Sequence, residues 1–172
     1  KDVRAPGTAD EFNEELATFI GREGALKYIA ARYDTSSTVY HTAREFINDQ
    51  KMFYQKIKTL YNTLHVVYQQ DLSERELLDS KQTIISEYQK IFSTNYDSFF
   101  KTERFRGFSK IQINNAYLLA YNTYNKDLDL FYQIYSQHQH DLKKTISLLL
   151  KSKEHKNNPK EFLQKFIVPY SE

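Results

Sequence analysis

No cysteine and no tryptophan occur in these 172 residues, and Met52 is the only methionine. Without cysteine, disulfide staples and thiolate metal sites are both excluded, and the redox compartment stays open. Glycine and proline are scarce, at four and three residues, with the prolines confined to Pro6, Pro159 and Pro169. So few breakers predict long, uninterrupted helices. No apolar run approaches the roughly 18–20 residues that span a bilayer. Excess charge of one sign is missing too: charged residues make up 27% of the chain, yet the net charge is only +2. That balance gives no electrostatic reason to expect nucleic acid or an anionic membrane as a partner.

Aromatic residues are plentiful, with 14 tyrosines and 12 phenylalanines. Interleaved with lysine they could serve base stacking, but Tyr54, Tyr61 and Tyr68 recur every seven residues, the spacing of a packed helix face. A chain of this length suits a single all-α domain with one core, and alternation of strand type is absent over any convincing length.

Thr8 and Glu11 have the spacing of a capping box, after which a first helix is expected to run to about Tyr33. Asp34 to Ser37 breaks the pattern. A very long helix follows from about Thr38 to Gln70, with Phe46, Phe53, Ile57, Leu60, Leu64 and Val67 on its apolar side. Ser73 to Glu76 reads as a second capping box, and Leu77, Ile84, Ile85, Tyr88, Ile91 and Phe92 carry the next helix to about Asn95. The short connection predicts that this pair forms a long antiparallel hairpin. Between Lys101 and Lys110 the pattern lapses into a basic and aromatic loop, either solvated or able to meet an anion. Helical spacing resumes from Ile113 to Tyr124 and again from Lys126 to Lys151, and Pro159 opens a short terminal helix as its first residue. His138 and His140 lie about 200° apart on a helix, so they cannot share a metal ion there.

The first helix carries the most specific signal. At about 100° per residue, Phe12, Leu16, Phe19 and Ile20 share an apolar face, and Glu11, Glu15, Thr18 and Arg22 share a polar one on which Glu15 is expected to be dispensable. Glu14, Ala17, Gly21 and Gly24 form a third stripe. Glycine in a helix interior costs about 0.8–1 kcal/mol relative to alanine, so this stripe predicts close approach by another element, with Glu14 pointing into the contact. A carboxylate so placed needs a cation, a donor or a metal, and an ion pair with lysine or arginine is the simplest answer.

The string Phe12-Asn13-Glu14-x-x-Ala17-x-Phe19-x-Gly21-x-x-Gly24 resembles a phrase of the bacterial predicted-aminopeptidase family, in which it follows an H-E-x-x-H helix. A second phrase, Ile113-Asn114-Asn115-Ala116-Tyr117-Leu118 followed by Tyr124, Asn125 and Phe131, matches in the same order, so the resemblance covers nearly the whole chain. It implies a zinc peptidase in which two histidines and a downstream glutamate hold the metal. By position in these phrases, Glu14 is the implied third zinc ligand and Asn13 an implied helper that orients the ligand or the substrate backbone. Tyr124 or Asn115 is the implied donor to the oxyanion, with packing as the alternative role.

The pattern is incomplete. None of His41, His65, His138, His140 and His155 is followed by glutamate, so no H-E-x-x-H occurs in these residues. The expectation is therefore that the chain is the helical C-terminal part of a longer protein, with the H-E-x-x-H segment upstream of Lys1 as its partner and a peptide as substrate. Alone it is expected to bind no catalytic zinc and to be inactive. The resemblance also implies a periplasmic or membrane-anchored setting. The competing reading is a non-catalytic helical interaction module, in which the Glu14 stripe is a packing seam only.

Overall fold

A computed structural model describes the backbone of residues 9–125, 128–155 and 158–167, and side chains from residue 12 onward except 122–127, 156–157 and 168–172. The proposed Thr8 and Glu11 cap lies outside the described residues, as does the side chain of Tyr124. Among the described residues the fold is all-α: α1 (Ala9–Tyr33), α2 (Thr38–Tyr68), α3 (Glu74–Thr94), α4 (Tyr96–Phe99), a 3-10 turn (Arg106–Lys110), α5 (Asn115–Asn125), α6 (Leu128–Gln137), α7 (Leu142–Ser152) and α8 (Pro159–Gln164). The chain divides into two compact units, one of Ser36–Asn122 and one of Lys1–Thr35 with Thr123–Glu172.

In the Ser36–Asn122 unit the helix starts follow from local chemistry. Ser37 and Ser73 each hold extended backbone and accept a hydrogen bond from the N–H three residues on, Tyr40 and Glu76 respectively. Glu76 closes the predicted capping box by accepting from the Ser73 N–H at 2.9 Å, and these bonds from Ser73 hold its carboxyl below the usual range. The predicted hairpin forms. Phe53 meets Phe92 edge-on and Lys56 accepts from Tyr88 through its carbonyl, so partner residues run in opposite directions along α2 and α3. Burial pushes the Tyr88 hydroxyl up to about 12.

The stretch from Lys101 to Lys110 is not a free basic loop. Phe105 stacks on Phe53 at 4.1 Å and Phe108 meets it edge-on at 5.2 Å, so both rings belong to the core. Arg106 bonds Glu103 and Asp97 and lies over the Tyr96 ring, while Arg104 covers Phe46. The anchor is Asp49, 2% exposed on α2. Its carboxylate accepts from the backbone N–H of Lys101 at 3.0 Å and of Thr102 at 2.7 Å, and from the Thr102 hydroxyl at 2.7 Å. From the other side, Gln89 donates to the carbonyls of Phe108 and Ile111.

Several expected core positions differ. Ile47 and Asp49 are buried on α2, whereas Phe46 and Val67 are half-covered, and Ile91 on α3 is 55% exposed. The burial arc of α2 turned toward Asp49 because the returning loop lies on that side. The tyrosine heptad is buried at Tyr54, half-buried at Tyr61 and 37% exposed at Tyr68, so packing fades toward the end of the helix.

In the other unit, Phe12, Leu16 and Phe19 of α1 pack on Leu128, Phe131, Ile134 and Tyr135 of α6, with Leu149 and Leu163 completing the cluster. Phe131 receives Phe12 and Phe19 edge-on at 5.4 and 5.9 Å. Such pairs add about 0.5–1.5 kcal/mol to the roughly 1.5–3 kcal/mol from burying each ring.

The single helix expected from Lys126 to Lys151 is instead two. Gln139 and His140 have φ of 55° and 61°. His140 N–H bonds the Tyr135 carbonyl and Gln139 N–H bonds Ser136, a Schellman stop with Gln139 at its left-handed position. Asp141 then caps α7 by accepting from Lys144 N–H at 3.0 Å, which lowers its carboxyl. No glycine marked the stop, so periodicity ran through it. Thr145 donates its hydroxyl to the Asp141 carbonyl at 2.8 Å, and His138 Nδ1 lies 3.1 Å from the same hydroxyl. Burial, with the Lys144 charge, lowers the pKa of His138.

Asp49→Ala is expected to destabilise the protein by about 2–4 kcal/mol, since it strands two backbone donors bonded to a charge. Chemical denaturation reads the loss, and a change under about 0.5 kcal/mol would show that the anchor is idle. Gln139→Gly should stabilise by about 1 kcal/mol by relieving a side chain held at positive φ, and an unchanged or lower melting temperature would contradict this account of the break between α6 and α7.

Candidate functional site

Helix α1 buries an arc that includes Phe12, Leu16 and Phe19, all at most 5% exposed, and the same arc takes in Glu15 at 0% and Glu23 at 7%. On a helix Glu15 lies about 60° from Phe12, and Glu14 about 160° from it. The outcome corrects the expected faces. Glu15, expected on the polar side and dispensable, is the enclosed carboxylate, and Glu14 is exposed.

Glu15 is met by Lys160 of α8, whose Nζ lies 3.1 Å from one carboxylate oxygen and 3.4 Å from the other. Lys160 is itself only 15% exposed, so the pair sits mostly out of water. α8 is delivered there by Asn158, which caps it, and by buried Pro159 at its first position.

The stripe of Glu14, Ala17, Gly21 and Gly24 does not pack as expected. Among the described residues no heavy atom beyond the local helical backbone lies within 4 Å of where a β-carbon would sit at Gly21 or Gly24. Asn13, Glu14, Ala17 and Gly21 are exposed, and Tyr28 farther along is 64% exposed. The stripe lies opposite the phenylalanines, and it is on the phenylalanine side that the described core neighbours of α1 in this unit gather. Thr18 turns back along the helix and donates to the Glu14 carbonyl at 2.9 Å. Among the described residues no cation is paired with the Glu14 carboxylate.

The residues present do not by themselves make a zinc site. Among the described residues no three His, Asp or Glu side chains cluster as a metal would require. His138 is tied to Thr145, His140 sits edge-on to Tyr135, and His155 stacks on Phe162 at 4.1 Å. Glu14 is an accessible single donor with Asn13 beside it. Asn115 belongs to the other unit, where its Oδ1 accepts from the Tyr68 hydroxyl at 3.1 Å. The neighbouring Asn114 accepts from Tyr117 N–H at 2.8 Å and starts α5 as a cap. The two consecutive asparagines thus have separate tasks.

Sequence reasoning missed Asp49 and the Glu15 with Lys160 pair. An acidic residue one turn from a run of phenylalanines was a usable signal in both cases, but its partner lies 52 to 145 positions away.

The family model described as "Putative aminopeptidase" matches residues 5–163. The chain belongs to that family. No curated protein and no solved structure matches it. Among the described residues no helix is long and apolar enough to cross a membrane.

Glu15→Ala is expected to cost about 3–5 kcal/mol, because it leaves Lys160 charged and nearly buried without its partner. Glu14→Gln should change stability by less than about 0.5 kcal/mol. Parallel denaturation of the two variants checks the order, and equal losses would overturn the assignment of the two faces.

Proposed function

We propose that this chain is the helical part of a zinc-dependent aminopeptidase and that Glu14 is one carboxylate ligand of its metal. The two histidine ligands and the general base belong to an H-E-x-x-H segment that these residues do not include. The observation that carries this reading is the pairing state of Glu14: it is exposed, without a described cation, on a helix face whose small residues leave room for a second helix to lie close. Its neighbour Glu15 is committed to Lys160 and is not available.

Zinc, when bound, would acidify its water and polarise the scissile carbonyl. The part played by this chain is to present one negative oxygen donor from a rigid helix whose opposite face is locked by Phe12, Leu16 and Phe19. Gly21 and Ala17 admit the partner backbone. Asn13, exposed on the turn that bears Glu14, orients the ligand or holds the substrate backbone. The open face also favours the non-catalytic alternative, a seam for a docked helix in which Glu14 carries no chemistry.

Zinc stoichiometry and peptide turnover separate the two readings. The chain alone is expected to hold no tight zinc and to show no turnover, because one carboxylate cannot build a three-ligand site. Joined to an H-E-x-x-H segment from its own protein it should gain both, and Glu14→Gln in the joined protein should abolish most of the turnover while leaving the helical signal unchanged. Full activity in that variant would leave Glu14 structural, and tight stoichiometric zinc on the isolated chain would place the site elsewhere.

A further inference from the structure

The Ser36–Asn122 unit contains a cavity of about 230 Å³ between the last turns of α2 and the first turns of α5. Leu64 and Leu118 form its floor, at 2% and 3% exposure. Tyr61 and Tyr68 stand at the side, with His65 lying parallel to the Tyr61 ring. Leu119, 55% exposed, and exposed His65 edge the opening.

Two features narrow what such a cavity can take. Its volume falls below the roughly 300 Å³ at which pockets for whole small-molecule ligands begin, and matches one side chain better than a cofactor. Among the described residues no lysine, arginine, aspartate or glutamate lines it, and His65 stands only at the opening, so the floor offers no fixed charge to a phosphate, a carboxylate or an ammonium group. The occupant is apolar and uncharged.

The rim adds a direction. The Tyr68 hydroxyl donates to Asn115 Oδ1 at 3.1 Å, which leaves the Nδ2 of an amide that lines the cavity as an N–H donor. An apolar well with an N–H donor at its edge complements a side chain followed directly by a backbone carbonyl. We propose that this cavity is a subsite for one large apolar residue of a peptide, with the side chain over Leu64 and Leu118 and Asn115 Nδ2 donating to the carbonyl of that residue. The choice of a peptide rests on the peptidase reading above, while the apolar, uncharged character rests on the cavity alone.

The test uses the whole chain, isotope-labelled, titrated with N-acetyl-leucine amide, N-acetyl-phenylalanine amide and N-acetyl-glycine amide and followed by nuclear magnetic resonance. Saturable shifts at the Leu118 and Leu119 methyls and at the Asn115 side-chain amide are expected with the first two, and none with the glycine compound. Leu119→Glu and Asn115→Ala change exposed positions, so both should keep the parental helical signal, and each should weaken binding at least tenfold. Equal shifts from the glycine compound, shifts confined to other residues, or undiminished binding by both variants would overturn the subsite. Ethylbenzene binding as tightly as the phenylalanine compound would overturn the peptide assignment. The readout needs neither zinc nor turnover, so a failure of the Glu14 ligand reading and a failure of this subsite give different results.

Discussion

A carboxylate taken out of water must be met by donors at once, and each of the two units contains one that is. Asp49 draws the backbone of Lys101 and Thr102 onto α2, and Glu15 draws Lys160 onto α1. The apolar clusters depend on these closures in different ways. With the chain pinned at Lys101 and Thr102, Phe105 and Phe108 reach Phe53 and complete its ring of aromatic neighbours. With Lys160 at Glu15, α8 lies where Leu163 can join Phe12 and Phe19. Hydrophobic burial supplies most of the stabilisation but is non-directional. The charged contacts select which of many apolar packings is adopted, because a misplaced segment would leave a carboxylate uncompensated.

The same constraint explains why adjacent glutamates on α1 have opposite fates. A single step along a helix turns the side chain by about 100°, enough to carry Glu14 from the arc that holds Glu15 to the side that faces away from the phenylalanines. Burial makes Glu15 structural and leaves Glu14 chemically available. The face around Glu14 gains its character from what is not on it: Ala17 and Gly21 offer neither bulk nor charge, so an approaching backbone would meet little obstruction. A carboxylate in that setting is suited to binding something that comes from outside the unit.

The loop after α4 teaches a related point about composition. Lys101, Arg104, Arg106 and Lys110 look from the sequence like an anion-binding patch, yet the folded chain gives Arg106 to Asp97 and Glu103 and sets Arg104 over Phe46. The two arginine charges are taken up by acidic and aromatic neighbours instead of converging on one point. The intervening phenylalanines, which could have been stacking platforms, are turned inward.

Local chemistry alone was enough for the helical class, the hairpin of α2 and α3, the starts at Ser37, Ser73 and Pro159, and the family phrases around Glu14 and Asn115. These rest on spacing and on hydrogen bonds that close within three or four residues, so they are written in short stretches of sequence. Tertiary structure alone decided which arc of α1 is buried, that Asp49 rather than Phe46 faces the core, and that the run from Lys126 to Lys151 stops at Gln139. The first two depend on partners far along the chain. The third depends on a left-handed residue that is not glycine, where the Schellman bonds and the Asp141 cap outweigh the local penalty. Periodicity says that a helix has faces, but what comes to lie against each one is set by contacts that no short stretch contains.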